Sequence, residues 1–142
     1  MKIGELAQKT NTAVETIRYY ERVQLLPTPK RKENNYRVYT NFHLERLRFI
    51  RNCRSLDMTH EEIRTLLFYL DAPSGNCDPV TALIDEHLEH VDVRIKELNH
   101  LREQLFELQH VCQHDGDTTS CGILKSLLDM EPIEKPQGDT HL

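Results

Sequence analysis

Three cysteines bracket the most regular stretch of this sequence, with Cys77 just before it, Cys112 at its end and Cys121 after a further loop of eight residues. Converging thiolates form a soft, anionic site that prefers lead, cadmium, mercury or zinc to magnesium or calcium. Ligation needs deprotonated sulfur, and the metal itself drives that step. The spacing is not that of a zinc finger, and three unrelated thiols would look the same at this level. Cys53, inside Ile50-Arg51-Asn52-Cys53-Arg54, reads as a small buried residue. His87 and His90 lie one helical turn apart, a spacing that can chelate a second ion, with Glu62, Glu86 or His141 completing the set. Solvated histidines on a helix surface are the commoner outcome.

The stretch between the cysteines explains how they could meet. Pro79 suits a first helical turn, and Ile84, Leu88, Val91, Ile95 and Leu98 step by four, three, four and three. Leu101, Leu105, Leu108 and Cys112 continue the pattern after a phase slip near Leu98. A helix over residues 79–112 would be about 50 Å long at about 1.5 Å per residue, so Cys77 cannot reach Cys112 and Cys121 of its own chain. No second long helix exists to cover the seam, which predicts a coiled-coil pairing with another copy. In an antiparallel pair the start of one helix lies beside the end of the other. Cys77 of the partner subunit then arrives next to Cys112 and Cys121, giving two equivalent sites. Residues 113–129 read as a polar loop with a short helix, and residues 130–142 as a disordered tail.

The first half has a different character. Residues 1–70 carry 13 Lys and Arg against 8 Asp and Glu, and residues 71–142 carry 5 against 15, so the net −5 conceals halves of +5 and −10. Such asymmetry points the first half at a polyanion. Ile3, Leu6 and Ala7 share one helical face, and Val14, Ile17 and Tyr20 or Glu21 another. Thr12 is expected to cap the second helix, with Glu15 completing a capping box. Leu25-Leu26-Pro27 ends this helix–turn–helix. Lys30-Arg31-Lys32 reads as a basic loop, and Asn34-Asn35 with Tyr36-Arg37-Val38-Tyr39 as a small hairpin, a wing. Two helices follow. One runs from Asn41 to about Leu56 with Phe42, Leu44, Leu47, Phe49 and Ile50 as its apolar set; the other is capped by Thr59 with Glu62 at its third position. Residues 71–78 form a hinge of breaker residues. The second helix would expose Thr16, Arg18, Tyr19 and Tyr20, and the wing Arg37 and Tyr39, all suited to phosphate and groove-edge contacts. Core aromatics and a solvated basic loop are the competing reading of the same residues.

The strings Ile3-Gly4-Glu5-Leu6-Ala7, Thr16-Ile17-Arg18-Tyr19-Tyr20-Glu21, Leu25-Leu26-Pro27 and Asn35-Tyr36-Arg37-Val38-Tyr39 resemble, in order and spacing, the N-terminal region of the MerR family of bacterial regulators. The likeness extends through Glu45-Arg46-Leu47-Arg48-Phe49-Ile50 and Leu56-Asp57-Met58-Thr59. It implies a homodimer on a palindromic promoter with a long spacer, whose DNA twist and bend change on effector binding so that RNA polymerase engages. It also assigns Arg18, Tyr19, Tyr20, Arg37 and Tyr39 to DNA contact.

Asn76-Cys77, Leu83-Ile84-Asp85-Glu86-His87 and Cys112 followed by Ser120-Cys121-Gly122-Ile123-Leu124 resemble the cadmium- and lead-responsive branch, which implies Cys77, Cys112 and Cys121 as ligands of Cd(II) or Pb(II). Copper-type members lack a cysteine at the position of Cys77. Iron–sulfur members carry four clustered cysteines that this chain does not have. Zinc-type members usually have paired cysteines where this chain reads Val111-Cys112-Gln113. His114, Asp115 and Asp117 depart from the pattern and could supply a fourth ligand, leaving Zn(II) and Hg(II) open.

The expected fold is all-α apart from the wing: a winged helix–turn–helix followed by a long antiparallel coiled-coil dimerisation helix. No leader-like or membrane-length apolar run appears, so a cytoplasmic regulator without membrane partners is expected. No Cys-x-x-Cys, phosphate-binding glycine loop or nucleophile motif argues for an enzyme. A cytosolic metal-buffering protein would leave the winged helix without purpose, and a regulator with an organic effector would be insensitive to chelators.

Overall fold

The computed structural model describes residues 1–33, 35–73, 75–111 and 121–132. Its elements run α1 (Ile3–Thr10), α2 (Val14–Arg22), β1 (Lys30–Arg31), β2 (Arg37–Val38), α3 (Asn41–Ser55), α4 (His60–Asp71), α5 (Asp78–Val111) and α6 (Gly122–Asp129). The contacts divide the chain into two compact units, with the boundary between Leu83 and Ile84. Among the described residues no helix is long and apolar enough to cross a membrane.

The first unit is built around Leu6, Ile17, Leu26, Leu47, Ile50 and Ile63, all almost wholly buried. Val80 and Leu83 from the first turns of α5 pack on the same core. Long-range hydrogen bonds tie the helices together: Arg51 Nη1 donates to the Thr10 carbonyl at 2.9 Å, and Arg64 Nη2 donates to the Val23 carbonyl at 2.5 Å. The second bond satisfies a carbonyl just past the end of α2, where helical partners run out. Arg46 is buried, paired with Asp71, and its guanidinium lies 4.9 Å from the Phe42 ring centroid.

Local chemistry departs from expectation at three places. Asn11 takes the left-handed conformation at φ 50° to end α1, so Thr12 falls in the turn, where its hydroxyl donates to the Thr10 carbonyl at 3.1 Å. Ala13 rather than Thr12 is therefore the N-cap of α2, and no side chain caps it. Lys30 and Arg31 are not loop but strand, pairing antiparallel as Lys30 with Val38 and Arg31 with Arg37. Phe42 is exposed, because it stands in the first turn of α3 over Arg46 rather than inward. The Thr59–Glu62 capping box is present: the Thr59 N–H donates to Glu62 Oε1 at 2.9 Å and the Glu62 N–H to Thr59 Oγ1 at 3.1 Å.

The second unit contains the remainder of the 34-residue α5 and the short α6. Ile84, Leu88, Ile95, Leu98, Leu101 and Leu105 are each between 42 and 58% exposed. Among the described residues these positions form an apolar stripe long enough to seat a second helix.

Candidate functional site

Helix α2 and the wing frame a groove of about 680 Å³ whose lining includes Lys2, Arg18, Arg22, Tyr36 and Arg37. Arg18 and Arg22 share a face of α2 because they are four residues apart, and both are exposed. Tyr19 is 39% exposed, lies at a tilt of 53° to the His60 ring with centroids 5.6 Å apart, and takes the Arg22 guanidinium at 5.8 Å over its ring. Thr16 is half-buried. The groove thus presents directional cationic donors and aromatic edges, the equipment for phosphate and groove contacts.

The expected outward position of Tyr20 and Tyr39 is corrected. Tyr20 is 8% exposed and Tyr39 1% exposed, and both belong to the core. Tyr20 lies three residues beyond Ile17 on the inward face of α2, and the Tyr39 N–H donates to the Met1 carbonyl at 2.8 Å, drawing its ring inward. The Tyr39 hydroxyl donates to Glu21 Oε1 at 2.5 Å, while Glu21 Oε2 accepts from Arg37 Nη1 at 3.0 Å. Burial, reinforced by the hydrogen bond and negative charge of Glu21, pushes the Tyr39 phenol up to about 12. Burial lowers His60, helped by the charges of Arg54 and Arg64.

Sequence reasoning missed Glu21, Lys2, Arg22 and Tyr36 in this groove. Arg22 was reachable from its i+4 spacing to Arg18; Glu21 carried no signal, since an acid on a nucleic-acid-facing helix reads as a solvated charge.

Cys77 is exposed, and its carbonyl accepts from the Thr81 N–H at 2.9 Å, fixing it at the head of α5. Cys121 is half-buried and forms the N-cap of α6. Gly122 packs against the far end of α5: a Cβ placed on it would lie 2.7 Å from both the Val111 carbonyl oxygen and Val111 Cγ1. The residue after Cys121 therefore abuts the residue before Cys112. Cys112, His114, Asp115, Asp117 and His141 lie outside the described residues. Cys53 is buried, which raises its thiol pKa. A thiol held protonated is a poor ligand.

Of the proposed second set, His87 is buried and His90 half-buried, their ligand nitrogens within 4.8 Å of one another. Glu62 serves in the capping box of α4.

Residues 1–70 match a family model described as MerR HTH family regulatory protein, and residues 44–108 one described as MerR, DNA binding. The HTH-type transcriptional regulator ZntR homolog of Haemophilus influenzae is 47% identical over 109 residues, 77% of this chain and 81% of the relative. Among solved structures, the transcription regulator PbrR691 of Ralstonia metallidurans in complex with lead(II) aligns with a TM-score of 0.80 and 46% identity, covering 89% of this chain and 98% of that one. The MerR regulator of Bacillus megaterium in complex with mercury(II) aligns with a TM-score of 0.70 and 32% identity, covering 90% and 99%.

Proposed function

Because the chain belongs to the MerR family of helix–turn–helix transcription regulators, we propose that it works as a homodimer that senses a thiophilic metal ion, lead or cadmium, and switches a promoter in response. It is a regulator and not an enzyme. The observation that carries the reading is the exposed apolar stripe of α5 between Ile84 and Leu105, in a helix with a cysteine just before its start and another just after its end. Pairing that stripe with its copy in antiparallel register buries it and delivers Cys77 of the partner subunit to Cys112 and Cys121. Fully burying a leucine or isoleucine contributes about 1.5–3 kcal/mol; the six in this stripe are about half exposed in the single chain, so covering them in both copies offsets an association cost of about 4–15 kcal/mol.

Three thiolates favour a soft ion. The 46% identity to a regulator crystallised with lead(II) supports the lead and cadmium reading; the 47% identity to a ZntR homolog and the 32% identity to a regulator crystallised with mercury(II) keep a zinc- or mercury-responsive regulator as the second reading. A second ion on His87 and His90, with Glu62 and His141 completing its shell, is the accessory proposal; loss of one metal equivalent in His87→Ala/His90→Ala would support it and unchanged stoichiometry would remove it. On DNA, Thr16, Arg18, Tyr19 and Arg37 make contact, and Tyr20 and Tyr39 hold them in place from within the core. Metal binding at the ends of paired α5 helices then changes how the two winged helices are set on a palindromic promoter, altering the DNA distortion that RNA polymerase meets.

The test is competitive titration of the reduced protein with lead, cadmium, zinc and mercury, reading the thiolate-to-metal absorption band in wild type and Cys77→Ser. A strong lead or cadmium band that collapses in the variant supports the shared three-cysteine site. A band that survives means that Cys112 and Cys121 bind with loop residues alone. No thiolate band with any metal would point to an organic effector.

A further inference from the structure

We propose that Glu21 is a positioning residue for promoter reading, locking the wing to α2 so that both enter DNA as one surface of fixed shape. The proposal rests on the reading that α2 and the wing face DNA. The Glu21 side chain is only 7% exposed, and a carboxylate so placed must be matched by donors. Both of its donors come from the wing: Arg37 Nη1 at 3.0 Å and the Tyr39 hydroxyl at 2.5 Å. The wing's own ladder is two residue pairs long, and a two-stranded hairpin of that size is marginal by itself. Its backbone bonds at Tyr39 and the Lys2 contact on Tyr36 run to the first residues of the chain, whereas Glu21 ties it to α2.

Charge makes the placement informative. The groove is lined by Lys2, Arg18, Arg22 and Arg37, and an acid among them repels phosphate. A surface tuned for affinity alone would dispense with it. Glu21 holds the Arg37 guanidinium at one position and offsets its charge, lowering non-specific attraction to any duplex while keeping its remaining donors aimed. Tyr39 stays protonated across the physiological range and so remains a donor to Glu21. The consequence is discrimination: Glu21 weakens binding to arbitrary DNA and strengthens the preference for the operator.

The experiment uses full-length protein and two duplexes, one selected by wild type from a random-sequence pool and one of equal length with the selected sequence scrambled. In Glu21→Gln the ratio of the two affinities is expected to fall about tenfold, while binding to the scrambled duplex holds or tightens. The salt slope on that duplex should steepen by about 0.9, as one more phosphate contact forms. Tyrosinate absorbance should show one phenol titrating below its wild-type position near 12. Tyr39→Phe cuts one of the two bonds from the wing side and keeps the test open should Glu21→Gln fail to fold; its expected loss in the ratio is about threefold. Equal tightening on both duplexes would show that Glu21 is a charge and not a clamp, and an unchanged ratio in both variants would overturn the proposal. Failure of wild type to select any duplex would instead overturn the DNA-reading function, and the proposal with it.

Discussion

Gly122 is held against Val111 so closely that there is no room for a methyl group between them, since a Cβ would sit 2.7 Å from the Val111 carbonyl oxygen. Backbone cannot yield as a flexible side chain can, so Gly122→Ala must push the start of α6 away from the end of α5. Cys121, the N-cap of α6, moves with it. The expected result is metal affinity lowered at least about tenfold, roughly 1.4 kcal/mol, with metal-free DNA binding unchanged. Val111→Ala should not restore affinity in the double variant, because the obstructing oxygen is main chain. A competitive chelator titration reads both, and wild-type affinity in Gly122→Ala would show that α6 does not set the cysteine geometry.

His43 gives stability a pH dependence of defined sign. Its Nδ1 accepts the Thr40 N–H at 3.0 Å at the start of α3, and burial lowers its pKa from 6.5. The folded state therefore holds His43 neutral while the unfolded chain takes up a proton below 6.5. Its contribution is complete above pH 6.5 and is lost as pH falls below it. His43→Gln can keep the acceptor without titrating. Chemical denaturation from pH 7.5 to 5.5 should show wild type losing more stability than the variant; parallel curves would mean that His43 is not the group responsible.

Much of this architecture was legible because it rests on local rules. The Thr59–Glu62 capping box, the 34-residue α5 and the helix after Cys121 follow from capping chemistry and periodicity. Tyr20 and Tyr39 were misread because Tyr carries both an apolar body and a polar tip, and spacing alone does not say which end meets water. Thr12 was misplaced because Asn11 adopts φ 50° and ends α1 through its own backbone, a choice that depends on how α1 and α2 pack. Glu21 and Gly122 were beyond sequence for a shared reason: each acts through a neighbour distant along the chain, Arg37 sixteen residues away and Val111 eleven.

Gln24 marks a place where the fold is strained. It follows α2 with φ 62°, a left-handed conformation that costs an L side chain about 1–2 kcal/mol, and it is exposed, so the side chain recovers little by packing. Glycine removes the strain but gains freedom in the unfolded chain worth about 0.5–1 kcal/mol. Gln24→Gly is thus expected to stabilise by about 0.5–1 kcal/mol, measured as a higher denaturation midpoint at fixed protein concentration. A lower midpoint would show that the Gln24 side chain contributes to packing.

Leu98 lies in the middle of the α5 stripe and is 47% exposed in the single chain. A glutamate there would place an unpaired charge in each half of the seam and strip it of apolar area near its centre. Leu98→Glu should sediment as a monomer at concentrations where wild type is a dimer. The first unit has its own core, centred on Leu6, Ile17 and Leu47, and its fold should persist, visible as retained helical circular dichroism with a lower, concentration-independent midpoint. On the reading that Cys77 comes from the second chain, the thiolate-to-metal band should vanish in the same variant although every cysteine is present. A monomer that keeps its full band would place all the ligands within one chain and remove the inter-subunit site, whereas a variant that stays dimeric with its band intact would mean that the two chains meet on a different face of α5.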